Sequence, residues 1–270
     1  MSDTVCIAAV CVPDKSGRVF AVLCSDARIE IPDLASGTIG FKAVEVARGI
    51  TIMYAGVVPK AREMIERYKY HLSNADLEMT HENVLDVLGV PLRAQQRRDV
   101  VNYISATYGM RYEEYLAKEA GEQQNLLFGL PSWKDYAELI VVWLGDNFVR
   151  LFSVSEKITE HSAFATIGTG GNVANASLFS RGYRAHSDLR EAAYYVYEAK
   201  RNSENVPGVG KETHMEIQEF HSAGTHVMYR LTANEIDVLG KQFLKLGPQP
   251  FEILSGEAQL SFSFIPGKKP

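Results

Sequence analysis

The chain has 270 residues, of which 46% are hydrophobic and 23% charged, with a formal net charge of −5 and a pI near 5.8. A chain of this size buries roughly 75% of its unfolded surface, so it needs neither disulfides nor a metal to fold. The acidic balance argues against nucleic-acid and anionic-membrane partners, which call for a basic excess.

Thr4–Val12 and Arg18–Cys24 are apolar, β-rich runs joined by the turn residues Pro13-Asp-Lys-Ser-Gly17, which predicts a hairpin. No basic segment precedes the first run as in a secretory signal, and no run approaches the roughly 20 apolar residues of a membrane span. Cys6, Cys11 and Cys24 all lie in these first runs; an odd number so placed reads as reduced core thiols of a cytoplasmic protein. Extended structure is expected again over Thr38–Val46 and Ile50–Ala55, turning at Arg48-Gly49.

The period then changes. Ala61, Met64, Ile65, Tyr68 and Leu72 share a helical face. Thr80 can cap a short helix to about Leu88, and Val100 to Leu116 continues a helical pattern with a break near Gly109. Glu122–Asp135 reads as loop. Leu139–Leu144, apolar on both faces, is expected between two layers, and Phe148–Val154 and Phe164–Ile167 are further strands. Gly168-Thr-Gly-Gly171 leads into a helix from about Val173 to Tyr183, and Ser187 can cap the next helix. Glu212–Phe220 and Thr225–Leu231 form a second hairpin through Ser222-Ala-Gly224, and Thr232 with Glu235 makes a capping box for a last helix. Hairpin blocks alternating with helices indicate a layered α+β arrangement, read as one domain over 1–270 with extra helical length around 90–135 and a C-terminal extension at 248–270.

Thr4-Val-Cys-Ile-Ala, Ser25-Asp-Ala-Arg28, Phe41-Lys42, Tyr54-Ala-Gly56 and Thr166-Ile-Gly-Thr-Gly-Gly171 occur in this order. The set, with its spacing, resembles the proteasome β-type family of N-terminal-nucleophile (Ntn) hydrolases, including its bacterial relatives. The chain begins almost directly at its first strand, without the extra N-terminal helix of proteasome α-type subunits. The resemblance implies a four-layer αββα sandwich, two antiparallel sheets between helix layers. It implies a peptide or protein substrate, no cofactor or metal, assembly into a homo-oligomeric ring or spiral, and an ATP-dependent unfoldase as partner.

It also implies roles. Thr4 is the nucleophile once residues 1–3 are removed. A neutral hydroxyl needs a base, and the freed α-amino group, with an unperturbed pKa near 8, serves as one. Lys42 favours the neutral amine by like-charge repulsion, and Asp26 orients Lys42. Gly56 offers its N–H to the oxyanion. Arg28, Thr169, Gly170 and Glu204 support the site, and Tyr54 and Val58 shape the substrate pocket. Each also has an ordinary reading: Thr4 can open a strand, Asp26 and Lys42 can form a structural ion pair, and Tyr54 can be core.

Two positions depart from the family pattern. Asp3 stands where glycine usually precedes the threonine, and Pro207 stands where a supporting serine belongs, removing a hydroxyl and a backbone donor. These departures motivate one alternative, a non-catalytic ring or assembly subunit; another keeps the nucleophile in an Ntn acyl-transferase or small-amide hydrolase. Ser2 or Cys6 as nucleophile falls off the family register. The glycines at 168 and 170 could cradle phosphate but lack the third glycine, and Gly208-Val-Gly-Lys-Glu212 is not a P-loop. His214, His221 and His226 lack the carboxylate or cysteine spacing of a zinc site.

Overall fold

The computed structural model describes residues 4–13, 18–31, 34–38, 41–74, 79–130, 137–221 and 225–246. Asp3, the turns at 14–17 and 222–224, the side chain of Arg28 and the extension at 248–270 lie outside the described residues.

The first strands are β1 (Cys6–Cys11) and β2 (Phe20–Asp26). Their alternation sorts each side chain between two apolar layers, as a period of two requires. Cys6, Ala8 and Val10 of β1 and Ala21 and Leu23 of β2 face one cluster. Ile7, Ala9, Cys11, Phe20, Val22 and Cys24 face another. Both strands are therefore buried throughout.

A short hairpin, β3 (Arg28–Ile31) and β4 (Leu34–Thr38), follows. The extended run expected over Thr38–Val46 is split: β4 ends at Thr38 and β5 (Ala43–Ala47) begins after Lys42. β5 pairs with β6 (Ile50–Gly56), which pairs with β7 (Ala137–Gly145). β8 (Phe148–Val154) and β9 (Ile158–His161) complete this antiparallel sheet, in the order β5-β6-β7-β8-β9. β9 was not expected; with only four residues and two exposed positions it has no alternating apolar signal. The other sheet adds β10 (Phe164–Ile167), β11 (Thr213–His221) and β12 (Thr225–Arg230), in the order β10-β1-β2-β11-β12.

The two five-stranded sheets meet face to face. Met53 and Ala55 of β6 and Ile140, Val142 and Leu144 of β7 pack on the inward residues of β1 and β2. The opposite face of β7, with Leu139, Val141 and Trp143, packs under α1 (Val58–Asn74) and α2 (Val84–Tyr108). The outer face of the first sheet is covered by α5 (Gly171–Ser180), α6 (Leu189–Ser203) and α7 (Ala233–Leu246). The described residues thus form a mixed α and β structure with two five-stranded antiparallel sheets beside the small β3–β4 hairpin.

Three helical expectations are corrected. The short helix to Leu88 and the pattern from Val100 are one 25-residue helix, α2, which runs through Pro91. Proline removes an i→i−4 hydrogen bond, but Val84, Val87, Leu88, Pro91 and Leu92 form a continuous buried stripe that holds the helix together. It ends at Gly109, whose φ of 64° gives the left-handed cap, its N–H donating to Ser105 O at 3.0 Å. The expected loop from Glu122 overlaps α4 (Ala120–Leu126), which follows α3 (Tyr112–Leu116). The helix after Ser187 is capped by Asp188, which accepts from Arg190 N at 2.9 Å, while Glu191 accepts from Asp188 N at 3.4 Å. The Thr232–Glu235 box of α7 forms as expected, with Thr232 N donating to Glu235 at 2.7 Å.

Candidate active site

Register brings the site together. β1 pairs antiparallel with β2, Cys6 opposite Ser25, so Thr4 and Val5 run past the end of β2 at Asp26. Asp26 N–H donates to Val5 O at 3.3 Å. Lys42 enters from the other sheet: Tyr54 N–H holds its carbonyl at 3.2 Å. Its own N–H donates to Ser25 Oγ at 3.4 Å.

The three side chains meet. Thr4 Oγ1 donates to Asp26 Oδ1, and Lys42 Nζ donates to Thr4 Oγ1. Lys42 Nζ also lies 2.9 Å from Asp26 Oδ1. Thr4 and Lys42 are 3% exposed and Asp26 is fully buried. A buried carboxylate is tolerable only when paired and hydrogen-bonded. Asp26 meets this condition with two further donors, Val5 N at 3.2 Å and Gly210 N at 3.0 Å. The hydroxyl is thus held between an anion and a cation away from bulk water.

The Gly168–Gly171 turn sits against Thr4. Gly170 N–H donates to Thr4 O at 3.1 Å. A β-carbon at Gly168 would stand 2.5 Å from Thr4 O, and its φ of 87° also demands glycine. Gly168 N–H donates to Glu138 of β7 at 2.8 Å, so an acid of the opposite sheet pins the turn. With Gly171 N–H on Gly168 O at 2.8 Å, the amides of Gly168, Gly170 and Gly171 are all taken within the protein, which argues against a phosphate cradle. Thr169 lies half-buried in the turn. Gly56 ends β6 with a φ of 120°.

Other expected residues lie elsewhere. Glu204 does not reach Thr4; it pairs with Lys200 at 2.5 Å and lies 3.4 Å from Arg201 Nε. Pro207 is exposed, and the segment it belongs to serves the site through Gly210 N–H instead of a hydroxyl. Ser203, the last residue of α6, places its hydroxyl 3.1 Å from Gly170 O and 2.7 Å from Ala199 O of its own helix, so its one proton is shared between the two. Tyr54 is buried in the apolar layer under α1, where burial pushes its phenol up, and Val58 is half-buried at the start of that helix. Glu138, Ser203, Lys200 and Gly210 escaped sequence reasoning because no spacing marks them; an acid in a buried strand, Glu138, was the one visible signal.

Cys6 donates to Tyr54 O at 3.2 Å, and burial, opposed by nearby Lys42, pushes its thiol up to about 12. That leaves it a neutral thiol, a poor nucleophile. Cys11 and Cys24 are likewise buried and unbridged. Among the described residues no group of His, Cys, Asp or Glu could hold a metal, and His226 Nδ1 lies 2.8 Å from Glu45. No described helix is long and apolar enough to cross a membrane. Comparison with protein families finds no matching family, and comparison with curated proteins finds no similar sequence.

Proposed function

We propose that this chain is a threonine-type Ntn amidohydrolase resembling the proteasome β type, acting on peptide or protein amides after release of residues 1–3. The observation that carries this reading is the buried convergence of Thr4 Oγ1, Asp26 Oδ1 and Lys42 Nζ. The helix-covered pair of facing sheets supports an αββα Ntn fold.

In this scheme cleavage of the Asp3–Thr4 bond frees the Thr4 amine. The amine takes the Oγ1 proton as Oγ1 attacks the scissile carbonyl. Lys42, held by Asp26, lowers the amine's proton affinity by its positive charge. The tetrahedral oxyanion is stabilised by the Gly56 N–H. Collapse protonates the leaving amine from the Thr4 ammonium and leaves an ester on Oγ1. Water, deprotonated by the amine, then hydrolyses the ester and restores the hydroxyl. Exposed Tyr108, Leu116 and Phe128 on the α2–α4 region support assembly with further copies.

A second reading, a non-catalytic subunit, is favoured by Asp3, which leaves Thr4 nitrogen an amide until that bond is cut. Intact mass of the purified chain separates the two. A chain beginning at Thr4, with processing lost in Thr4→Ala, is the expected result. A retained N-terminal segment together with no amide cleavage overturns the hydrolase reading.

A further inference from the structure

Lys200 has no part in the scheme above, yet its side chain is fully buried. It stands in the last turn of α6, where a cation complements the helix dipole. That small gain is set against desolvation, which pulls the amine below its ordinary range while Glu204 pulls the other way. An apolar side chain of similar length would fill the space without that cost. What the amine does, and a methyl could not, is donate.

Its two acceptors bracket one segment. Nζ donates to Glu204 Oε1 at 2.5 Å, just past the end of α6, and to Lys211 O at 2.8 Å, just before β11. Between them lies Gly210, whose N–H donates to Asp26 Oδ2 at 3.0 Å. Asp26 Oδ1 is shared by Thr4, Val5 and Lys42, so Gly210 is the donor seen on the other oxygen. A carboxylate held on one oxygen alone can rotate about its Cβ–Cγ bond; a donor on the second fixes that angle. From this we propose that Lys200 is a positioning residue: by clamping both ends of the 204–211 segment it holds the Gly210 N–H on Asp26, and thereby orients the carboxylate toward Thr4 and Lys42. Its catalytic consequence rests on the hydrolase reading; the clamp itself does not.

The test uses the full chain with Lys200→Met, and the double variant Lys200→Met/Glu204→Leu, which leaves no stranded carboxylate if the single variant folds poorly. Two readouts are taken. One is the Gly210 amide proton resonance in 15N-glycine-labelled protein, assigned with Gly210→Ala and compared with Asp26→Ala. The other is the rate of Asp3–Thr4 cleavage after cell-free synthesis, followed by intact mass. The expected result is a Gly210 resonance moved upfield to its position in Asp26→Ala, and processing slowed about tenfold, the scale of a small misplacement of a reacting group. A Gly210 resonance that stays put overturns the clamp. A moved resonance with unchanged processing overturns the positioning role. If the wild-type chain never loses residues 1–3, the hydrolase reading fails on its own, and the resonance alone then decides the clamp: moved, it stands; unmoved, it falls.

Discussion

Replacing Asp26 with alanine withdraws the acceptor from four donors at once: Thr4 Oγ1, Val5 N, Gly210 N and Lys42 Nζ. The largest loss falls on the ammonium, 3% exposed, which among the described residues keeps the Thr4 hydroxyl as its side-chain acceptor. Removing one partner of a buried ion pair costs about 3–5 kcal/mol, because the other charge is stranded. Lys42→Met is milder, since Asp26 retains three donors and loses one charged hydrogen bond, a cost of about 1.5–3 kcal/mol. Independent effects would sum to about 4.5–8 kcal/mol in the double variant. With both charges gone no charge is stranded, although Thr4 Oγ1, Val5 N and Gly210 N still lose their acceptor, so the double variant should fall short of that sum by about 2–3 kcal/mol. The assay is denaturant unfolding followed by circular dichroism, reading midpoint shifts at constant slope. The Asp26→Ala melting temperature should drop by about 6–20 °C, given roughly 2–4 °C per kcal/mol for a chain near this size. Additivity within about 0.5 kcal/mol would refute the reasoning, because it would mean that the two side chains share no buried contact.

Gly168→Ala should lower stability by roughly 1–3 kcal/mol through its left-handed φ and should also displace Thr4, whose carbonyl its β-carbon would strike, slowing processing. Gly49→Ala, with a φ of 71° and a β-carbon 2.6 Å from Leu144 O, should cost similar stability and leave processing unchanged; equal processing in both variants would sink the argument. His161 and His214 are held below their ordinary 6.5 by burial, so the unfolded chain protonates first as pH falls. Stability should therefore be constant above 6.5 from these groups, decline as pH drops through that value, and level off once the folded histidines also protonate. His161→Gln, which keeps a partner for Ser153 Oγ, should flatten this decline in unfolding midpoints measured across the range.

Much of the framework was legible along the chain, because burial of alternate residues is written locally. Leu139–Leu144 announced a strand covered on both faces, and Thr232 with Glu235 announced a helix start. Thr4, Asp26 and Lys42 could be picked out as a set by their order and spacing, and they do meet. What local pattern could not decide was anything set by pairing between distant segments. The helix to Leu88 and the pattern from Val100 read as separate pieces, and the apolar stripe packed on the second sheet joins them as α2, through Pro91. Glu204 looked like a site acid, yet the end of α6 turns it to Lys200. Gly210 and Glu138 carry no motif, and they reach Asp26 and Gly168 because two sheets and a helix end converge there. Side-chain chemistry is a property of the sequence; which donor meets which acceptor is a property of register and layer packing, and these are settled by burial summed over the whole chain.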